Sequence, residues 1–530
     1  MSLTPKLLSF AVLMALGGTA AAANTGSPAV SRALGLIQNH GAALRASSHD
    51  SFVARNVVVD ADGTEHVHLD RSFAGLPVIG GDVIIHSRGG QFKSASLTQS
   101  STLNVDTHAT VRATDAIVNA GVAFANDFVG TPTSSLVIYA RGPGAAKLAW
   151  QVGFQGSDKN GNPVDSVFII DAKNGNKLDS WSLIETGKPG GGGNCTSTTG
   201  AVGTGKTIYS GDVAIGTTNC GTSFQLKDQT RGGGYTTNMA NSTSGSGTIY
   251  SDTDNTWGNN TASDSASAAA DAHYGIAVTW DYYKNVHGRN GIANDGKGAL
   301  SKVHYGRRYV NAFWSDGCFC MSFGDGDGTT YGPLVDLDVA GHEMSHGVTS
   351  RTANLTYSGE SGGLNEANSD IMGTMVEFYA NNANDTPDYL IGEEIYISNP
   401  GNTKALRWMF NPHKDGTSPN CYVSNLGTLD VHYSSGVANH FYYLLAEGTG
   451  AHTYSGVDHT STTCNGTTLA GIGRAKAEKI WYRALTVYMT SNTNYAGARV
   501  ATINAANDLY GAGSAESNAV AATWSGVSVN

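Results

Sequence analysis

The sequence predicts an α+β protein in which an α+β N-terminal unit precedes a β-rich lobe and a helical lobe. Short strand-like runs occupy the first part of the chain, and apolar residues at helical spacing take over after about Asp338. A glycine-rich break at 187–193 separates a cysteine-free segment from one that holds all 6 cysteines. At 530 residues the chain is too long for one core at about 150 residues per domain. Lys and Arg number 32 against 43 Asp and Glu, a net charge of −11 that disfavours nucleic acid as a partner. A hydrophobic fraction of 40% with 23 tyrosines argues for packed, loop-rich globular structure rather than disorder.

The elements follow in order. Lys6 precedes an apolar run at 7–16, then Gly17, Gly18, Thr19 and the alanines at 20–23. That order is a secretory signal peptide over 1–23, with cleavage expected near Ala23 and an extracellular destination. The run is shorter than the roughly 18 residues a spanning helix needs, so no stable membrane anchor is expected. Residues 24–185 read as an α+β unit: 56–60 and 82–86 look like strands, and 165–171 followed by Asn174-Gly175 predicts a hairpin with a two-residue turn. The string Gly187-Lys-Pro-Gly-Gly-Gly-Gly193 cannot hold regular structure, because glycine loses the most entropy on ordering and Pro189 removes a donor. It marks a linker or processing site.

From about Cys195 to Tyr331 the chain is rich in Gly, Ser, Thr, Asn and Tyr, with strand-like pieces at 300–305 and 309–314 and a helix at 265–285. Then Ile371, Met372, Met375, Val376 and Tyr379 follow helical spacing within 366–380. Ile480, Trp481, Ala484, Leu485, Tyr488 and Met489 repeat it, and Gly511 stands where a helix ending at Tyr510 wants its capping glycine. The lobes expected are 186–350, β-rich and including a metal-binding helix, and 351–530, helical. An even cysteine count in a secreted chain reads as disulfides. Cys195 with Cys220 is the first pairing suggested, and Cys318 and Cys320, one residue apart, are expected to bond elsewhere.

The sharpest chemical signal is His342-Glu343-Met344-Ser345-His346. Residues four apart share a helix face, so both imidazoles can meet one metal ion, while Glu343 projects about 100° away from His342. Glu366 follows after one loop's length and can supply a third ligand from a second helix. Two histidines, one glutamate and an open position make the catalytic zinc pattern, since a structural site fills all four positions with protein. Asp370, one turn beyond Glu366, can accept the other ring N–H of a ligand histidine.

With these flanks the sequence resembles the thermolysin family of secreted zinc metallopeptidases, within the gluzincins. The likeness runs from about Cys195 to Val529 and includes Asp271-Ala-His-Tyr274, Asn311-Ala-Phe-Trp314, Gly324-Asp-Gly-Asp-Gly328, Gly373-Thr-Met-Val-Glu-Phe-Tyr379 and Val431-His-Tyr-Ser-Ser-Gly436. Earlier, Gly63-Thr-Glu-His66 through Arg71, then Gly75-Leu-Pro-Val78 and Gly80, resemble the fungalysin/thermolysin propeptide motif, and the segment after Ser135 resembles a PepSY region. The family's usual arginine two residues after His66 is His68 here.

The resemblance implies a thermolysin-like two-lobed catalytic domain behind an α+β propeptide that serves as intramolecular chaperone and inhibitor, the mature enzyme a monomer acting on proteins and peptides. It implies that Tyr357 and His432 donate to the oxyanion, that Asp430 orients His432, that Asn311 and Ala312 hold substrate backbone, and that Arg407 binds a substrate carbonyl. Tyr331, Leu334, Val339, Ile391 and Leu406 would line a pocket for bulky hydrophobic residues after the scissile bond. Besides one catalytic zinc it implies at least one structural calcium, held by Asp338, Glu377, Asp388, Glu393 and the backbone carbonyl of Leu390, at a single rather than a double site. Asp325 and Asp327 lack the glutamate spacing of an EF-hand and read as turn residues.

Together the parts describe a zymogen whose product hydrolyses peptide bonds through a zinc-bound water, with Glu343 as general base. No G-x-S-x-G elbow suggests a serine nucleophile. An aminopeptidase of the same zinc motif is the alternative, countered by Asn311, Ala312 and Arg407 at endopeptidase positions. A secreted binding protein on a dead peptidase scaffold is the other, countered by intact catalytic positions. The likeness running almost to Asn530 leads us to expect no extra C-terminal domain. Mature protein is expected to begin between Thr186 and about Cys195.

Overall fold

The structure, a computed structural model, describes residues 27–141, 144–158, 163–183, 195, 197–399 and 402–530. The expected signal segment, the glycine-rich break and the bond expected to be cut before Cys195 lie outside the described residues.

The N-terminal unit is a single mixed sheet with a helix against each half. Its elements are α1 (Pro28–His40), β1 (Asp50–Val59), β2 (Thr64–Phe73), β3 (Leu76–Ile79), β4 (Val83–Arg88), β5 (Gln91–Leu97), α2 (Ala113–Phe124), β6 (Asp127–Tyr139), β7 (Lys147–Ser157), β8 (Pro163–Asp171) and β9 (Lys177–Ser182). Strand order is β5-β4-β2-β3-β6-β7-β8-β9, with β1 also on β2; only the short β3–β6 pairing is parallel, and it joins the halves. Proline at the start of α1 costs no hydrogen bond there, and Ala29, Val30 and Ala33 bury against Val67, Leu69 and Ile85. Ala116, Ala120 and Phe124 of α2 pack on Val152, Phe154, Phe168 and Ile170, every fourth residue of a helix meeting alternate residues of strands.

The turn between β8 and β9 is longer than the two residues expected. Residues 172–176 form it, because Ala172 N–H still donates to Leu148 O and keeps the chain paired with β7 past the end of β8. Gly175 then adopts φ +80° and donates to Asp171 O.

Beyond Cys195 a sheet runs through the strands Gly234–Asn238, Leu300–Val303, Cys320–Phe323 and Ala312–Ser315, the last at its edge. These strands are shorter than expected, since His304, Arg308 and the intervening Gly306 have positive φ and break the extended backbone. Helix α3 (Ser265–His287) is capped by the Asp264 side chain at one end and by left-handed Gly288 at the other. Then come α4 (Leu337–Ser350), α5 (Gly359–Ala380), α6 (Val431–Ser434), α7 (Gly436–Glu447), α8 (Arg474–Arg483), α9 (Tyr495–Tyr510) and α10 (Ala515–Gly526). One continuous core joins both lobes, with Met344, Leu364, Met372, Val376, Phe441, Trp481 and Trp524 inside it. Tyr379, read as part of the apolar stripe of α5, is instead 39% exposed, at the end of the helix. The apolar run 480–489 leaves α8 through a π-turn at Ala484–Tyr488.

Helices α4 and α5 touch backbone to backbone. A Cβ on Gly373 would lie 2.5 Å from Asp338 O, and one on Gly341 would lie 3.0 Å from Gly373 Cα. Only glycine allows that approach, which brings the side chains following Gly341 against α5.

Cys195 pairs with Cys220 as suggested, and Cys421 pairs with Cys464. Cys318 and Cys320 pair with each other, contrary to expectation. Phe319 between them sits at φ +52°, which folds the hairpin tip so that the two Cα atoms stand 5.2 Å apart, within disulfide range.

The N-terminal unit docks on the helical lobe through polar contacts. Arg483 donates to both carboxylate oxygens of Asp60 at 3.0 and 2.7 Å, Ser491 N–H to Asp82 at 2.9 Å, and Arg55 to Thr352 O at 3.2 Å. Arg141 reaches Ser358 O and Ser361 Oγ, both at 3.1 Å, at the start of α5. Buried His68 donates through Nε2 to Thr486 O at 3.1 Å.

Candidate active site

Helix α4 starts where Asp336 accepts the Leu337 N–H, and two turns later its buried face presents His342 and His346. Their outer nitrogens are fixed: His342 Nδ1 lies 2.8 Å from Asp370 Oδ1 and His346 Nδ1 lies 2.8 Å from Asn365 Oδ1. Both partners are acceptors, so each ring donates from Nδ1, and in the unprotonated form that binds metal the lone pair of Nε2 turns inward. Those Nε2 atoms stand 3.0 Å apart, with Glu366 Oε2 3.5 Å from the first and Oε1 3.4 Å from the second. Glu366 is fully buried and its Oε2 has no hydrogen-bond partner. Lone pairs converging on an unpartnered carboxylate oxygen repel one another unless a cation sits between them. The His342, His346 and Glu366 ligand atoms all lie within 4.8 Å of one another, which fits a zinc ion.

Glu343 is buried beside this group, and burial raises its carboxyl pKa although His342 and His346 oppose the shift. Burial would also raise Glu366, but the charges of His432, His346 and His342 hold it well below its ordinary value. Asp370 behaves alike: burial is outweighed by Arg407 and by His342. Arg407 donates to Asp370 through Nε at 2.8 Å and Nη2 at 2.6 Å, leaving Nη1 outside that pair. Asn439 of α7 donates to Asp370 Oδ2 at 2.7 Å.

Tyr357 donates its hydroxyl to Glu366 Oε1 and lies 3.2 Å from His432 Nε2. His432 Nδ1 in turn meets Asp430 Oδ1 at 2.7 Å, and Asp430 also accepts the His432 N–H at the start of α6. Glu366 first, then Asp430, raises the His432 pKa against the opposing effect of burial. Residues 357, 366, 430 and 432 therefore meet in one group; of these Tyr357, Asp430 and His432 were named by the family resemblance.

Asn311 is exposed where the edge strand begins, its carbonyl accepting Gly324 N–H at 3.0 Å, and Ala312 follows half-buried. The Tyr309 hydroxyl, raised by burial, feels the charge of Glu343 and that of Asp158 from the N-terminal unit. Of the apolar set, Val339 and Ile391 belong to the main core, Leu334 is buried, Tyr331 pairs with Tyr396, and Leu406 is half-buried.

A second acidic cluster lies at the other end of the α4–α5 crossing. Asp336, Asp338 and Glu393 form one buried trio and Glu377, Asp385 and Glu393 another, each with ligand atoms within 4.8 Å. Oxygens of Asp338, Glu377, Asp385, Asp388 and Glu393 are buried without partners. Burial and mutual repulsion push Asp336, Glu377, Asp385 and Glu393 well above ordinary carboxylate values. Asp336 and Asp385 thus stand beside the expected Asp338, Glu377 and Glu393, in two groups that share Glu393. Asp388 and Leu390 fall outside both trios. Asp388 is nonetheless buried with Oδ2 unpartnered, and Leu390 pairs with Trp408 in a short two-stranded sheet.

Asn365, Asn439, Asp336 and Asp385 were missed by sequence reasoning. Asn365 had a faint signal in preceding Glu366; Asn439 had none, lying 69 residues from the aspartate it touches. Asp327 accepts the N–H groups of Thr329, Thr330 and Tyr331, as a turn residue does.

Residues 202–350 match the model described as thermolysin metallopeptidase, catalytic domain, residues 353–529 its alpha-helical domain, and residues 50–98 the fungalysin/thermolysin propeptide motif. Over 486 residues the chain is 46% identical to a transglutaminase-activating metalloprotease of Streptomyces mobaraensis, covering 91% of this chain and 61% of that protein. It is 38% identical over 491 residues to thermolysin of Bacillus sp. (strain EA1), covering 89% and 84%, and 37% identical over 516 residues to bacillolysin of Bacillus cereus, covering 91% and 86%. The chain spans about three-fifths of the length of the first of these relatives. With the zinc-type constellation and both lobes in place, the chain belongs to the thermolysin metallopeptidase family.

Proposed function

We propose that this chain is the precursor of a secreted zinc endopeptidase with a preference for bulky hydrophobic residues after the scissile bond. The observation that carries the reading is the convergence of His342 Nε2, His346 Nε2 and an unpartnered Glu366 oxygen, with buried Glu343 alongside. Zinc held by those three residues supplies a Lewis acid that polarises a carbonyl and acidifies water. Glu343, its carboxyl raised by burial, accepts the proton of the attacking water and returns it to the departing amine. Tyr357 and His432 donate to the oxyanion, and Asp430 keeps His432 in the tautomer that can do so. Asp370 and Asn365 hold the ligand rings. The unpaired side of the edge strand at Asn311 and Ala312 accepts substrate backbone, Arg407 reaches a substrate carbonyl through Nη1, and Leu406 borders the side-chain pocket.

Calcium is the hard cation suited to the oxygen-only trios around Glu393. The N-terminal unit acts as chaperone and inhibitor: Arg141 grips the residues next to Tyr357, and Asp158 lies near enough to act on Tyr309 together with Glu343. A monomeric mature protein in the extracellular space completes the reading.

Hydrolysis of a blocked peptide with Leu after the scissile bond tests it, with zinc chelation, zinc restoration and Glu343→Gln in parallel. Loss on chelation, recovery with zinc and a loss of about 10²–10⁴-fold in the glutamine variant are expected. A folded, processed, zinc-loaded protein that leaves the peptide uncut would overturn the endopeptidase reading.

A further inference from the structure

The hairpin carrying the edge strand ends in a covalent ring whose placement calls for an explanation other than stability. Closing the Cys318–Cys320 ring, separation 2, removes far less unfolded-chain entropy than closing the loops of separation 25 and 43. What the ring encloses is Phe319, at φ +52°, a conformation an aromatic residue rarely adopts unaided. Held so, Phe319 stacks edge-on against Trp314, centroids 5.3 Å apart, and lies under the Arg351 guanidinium at 5.6 Å.

The same turn holds Asp316, whose Oδ1 accepts from Trp314 Nε1 at 2.9 Å, Ser350 Oγ at 2.8 Å and Arg351 Nη1 at 2.6 Å. Ser350 and Arg351 are the last residue and the C-cap of α4. Trp314 presses on the same helix one residue past His346, where a Cβ on Gly347 would come within 2.8 Å of its ring. The tip of the hairpin is therefore clamped to the end of the helix that carries His342, Glu343 and His346.

We propose that the Cys318–Cys320 bond is a positioning device: by fixing Phe319 it keeps the 316–319 turn on Arg351 and Trp314, and so sets the edge strand Ala312–Ser315 at the right distance from α4 to receive substrate backbone. The inference rests on the peptidase reading of that strand. The ligand residues do not depend on the clamp, because α4 is held against α5 independently through Gly341, Gly373, Asp370 and Asn365. Loosening the clamp weakens substrate binding in ground and transition states alike, a signature that raises KM and leaves kcat in place.

The test is the double variant Cys318→Ser/Cys320→Ser in the full chain, measured after processing with the blocked leucine peptide. KM is expected to rise about tenfold, with kcat within about twofold and zinc content unchanged. A second variant, Arg351→Met, leaves the bond intact, removes the other half of the clamp and is expected to raise KM in the same sense. A third readout needs no activity: in chains that also carry Glu343→Gln, backbone amides of Ala312–Ser315 exchange faster without the bond while those of α4 do not change. Unchanged KM and unchanged exchange would overturn the proposal, as would a joint fall of kcat, zinc content and α4 protection, which marks a general structural bond. Should the unsubstituted protein fail to cut the peptide, the peptidase reading falls and the exchange experiment alone decides the clamp.

Discussion

Glu366 and Asp370 on α5 are buried beside α4; Glu377, 11 residues or about 16 Å past Glu366 on α5, and Asp338, about one turn before His342 on α4, are buried too. The first two are matched by protein: Asp370 by Arg407, Asn439 and His342, Glu366 by Tyr357 and histidines. Around Glu377 the strongest charges are other carboxylates, Glu393, Asp385, Asp388 and Asp338, while Asp338 feels Asp370 and the opposing effect of His342. One end of the crossing is nearly balanced before any ion arrives and needs zinc for chemistry. The other gathers buried carboxylates that repel one another. One helix pair thus carries acids matched by cationic and polar partners and acids that face mainly other acids, the difference lying in which loops bring a cationic partner.

The largest expected effect breaks the zinc end. Glu366→Ala should lower hydrolysis of the blocked peptide by more than about 10³-fold and reduce bound zinc to a small fraction of one equivalent, read by metal analysis. Next, Asp370→Asn leaves Arg407 without its charged partner and should cost about 3–5 kcal/mol in denaturant unfolding, with zinc affinity down about 10–100-fold. No loss of stability would mean that the zinc end is not balanced by protein.

The acidic end should respond with a change of sign. Calcium at 100 times its Kd should stabilise the Glu343→Gln chain by about 2.7 kcal/mol. Glu393→Gln should abolish that response and yet make the calcium-free protein more stable, by removing one repelling charge from both trios. If calcium-free stability falls in this variant, the repulsion assigned to the cluster is wrong.

The smallest effect sharpens the comparison with a third solution, a buried group kept neutral. Burial, then the charges of Arg55 and His86, lowers His68 from 6.5 to about 3 at the interface of the N-terminal unit. A lowered histidine pKa contributes stability of the folded chain that is full above 6.5 and is lost as pH falls from 6.5 toward 3. His68 alone should weaken the folded state by up to about tenfold per pH unit in that window, and His68→Gln should flatten the profile, measured by denaturant unfolding of the full chain across pH.

Much of the zinc end was legible because its ligands lie on one helix and the next. Helical periodicity fixes which way His342, His346 and Glu366 point, and one loop is too short to separate them. The N-terminal unit was legible as α+β from alternation, yet the length of the β8–β9 turn was not, since it depends on Leu148 of β7 continuing to pair. The acidic cluster was legible only in part. Asp385 lies in a polar loop, and Asp336 reads as an ordinary helix cap whose place in a trio depends on the arrival of Glu393.

By itself the sequence determined the order of units, the helix carrying the zinc motif, the residue types that can hold zinc, and the family. Local periodicity, glycine and motif spacing encode these within a few tens of residues. Tertiary structure alone decided that Arg407 neutralises Asp370, that Asn439 and Asn365 complete the polar shell, that two acid trios share Glu393, and that Cys318 bonds Cys320. The first three are meetings between segments whose adjacency is set by core packing and by the glycine-permitted crossing of α4 and α5. The last is local in sequence but goes with one left-handed residue, Phe319, which in the fold lies against Trp314 and Arg351.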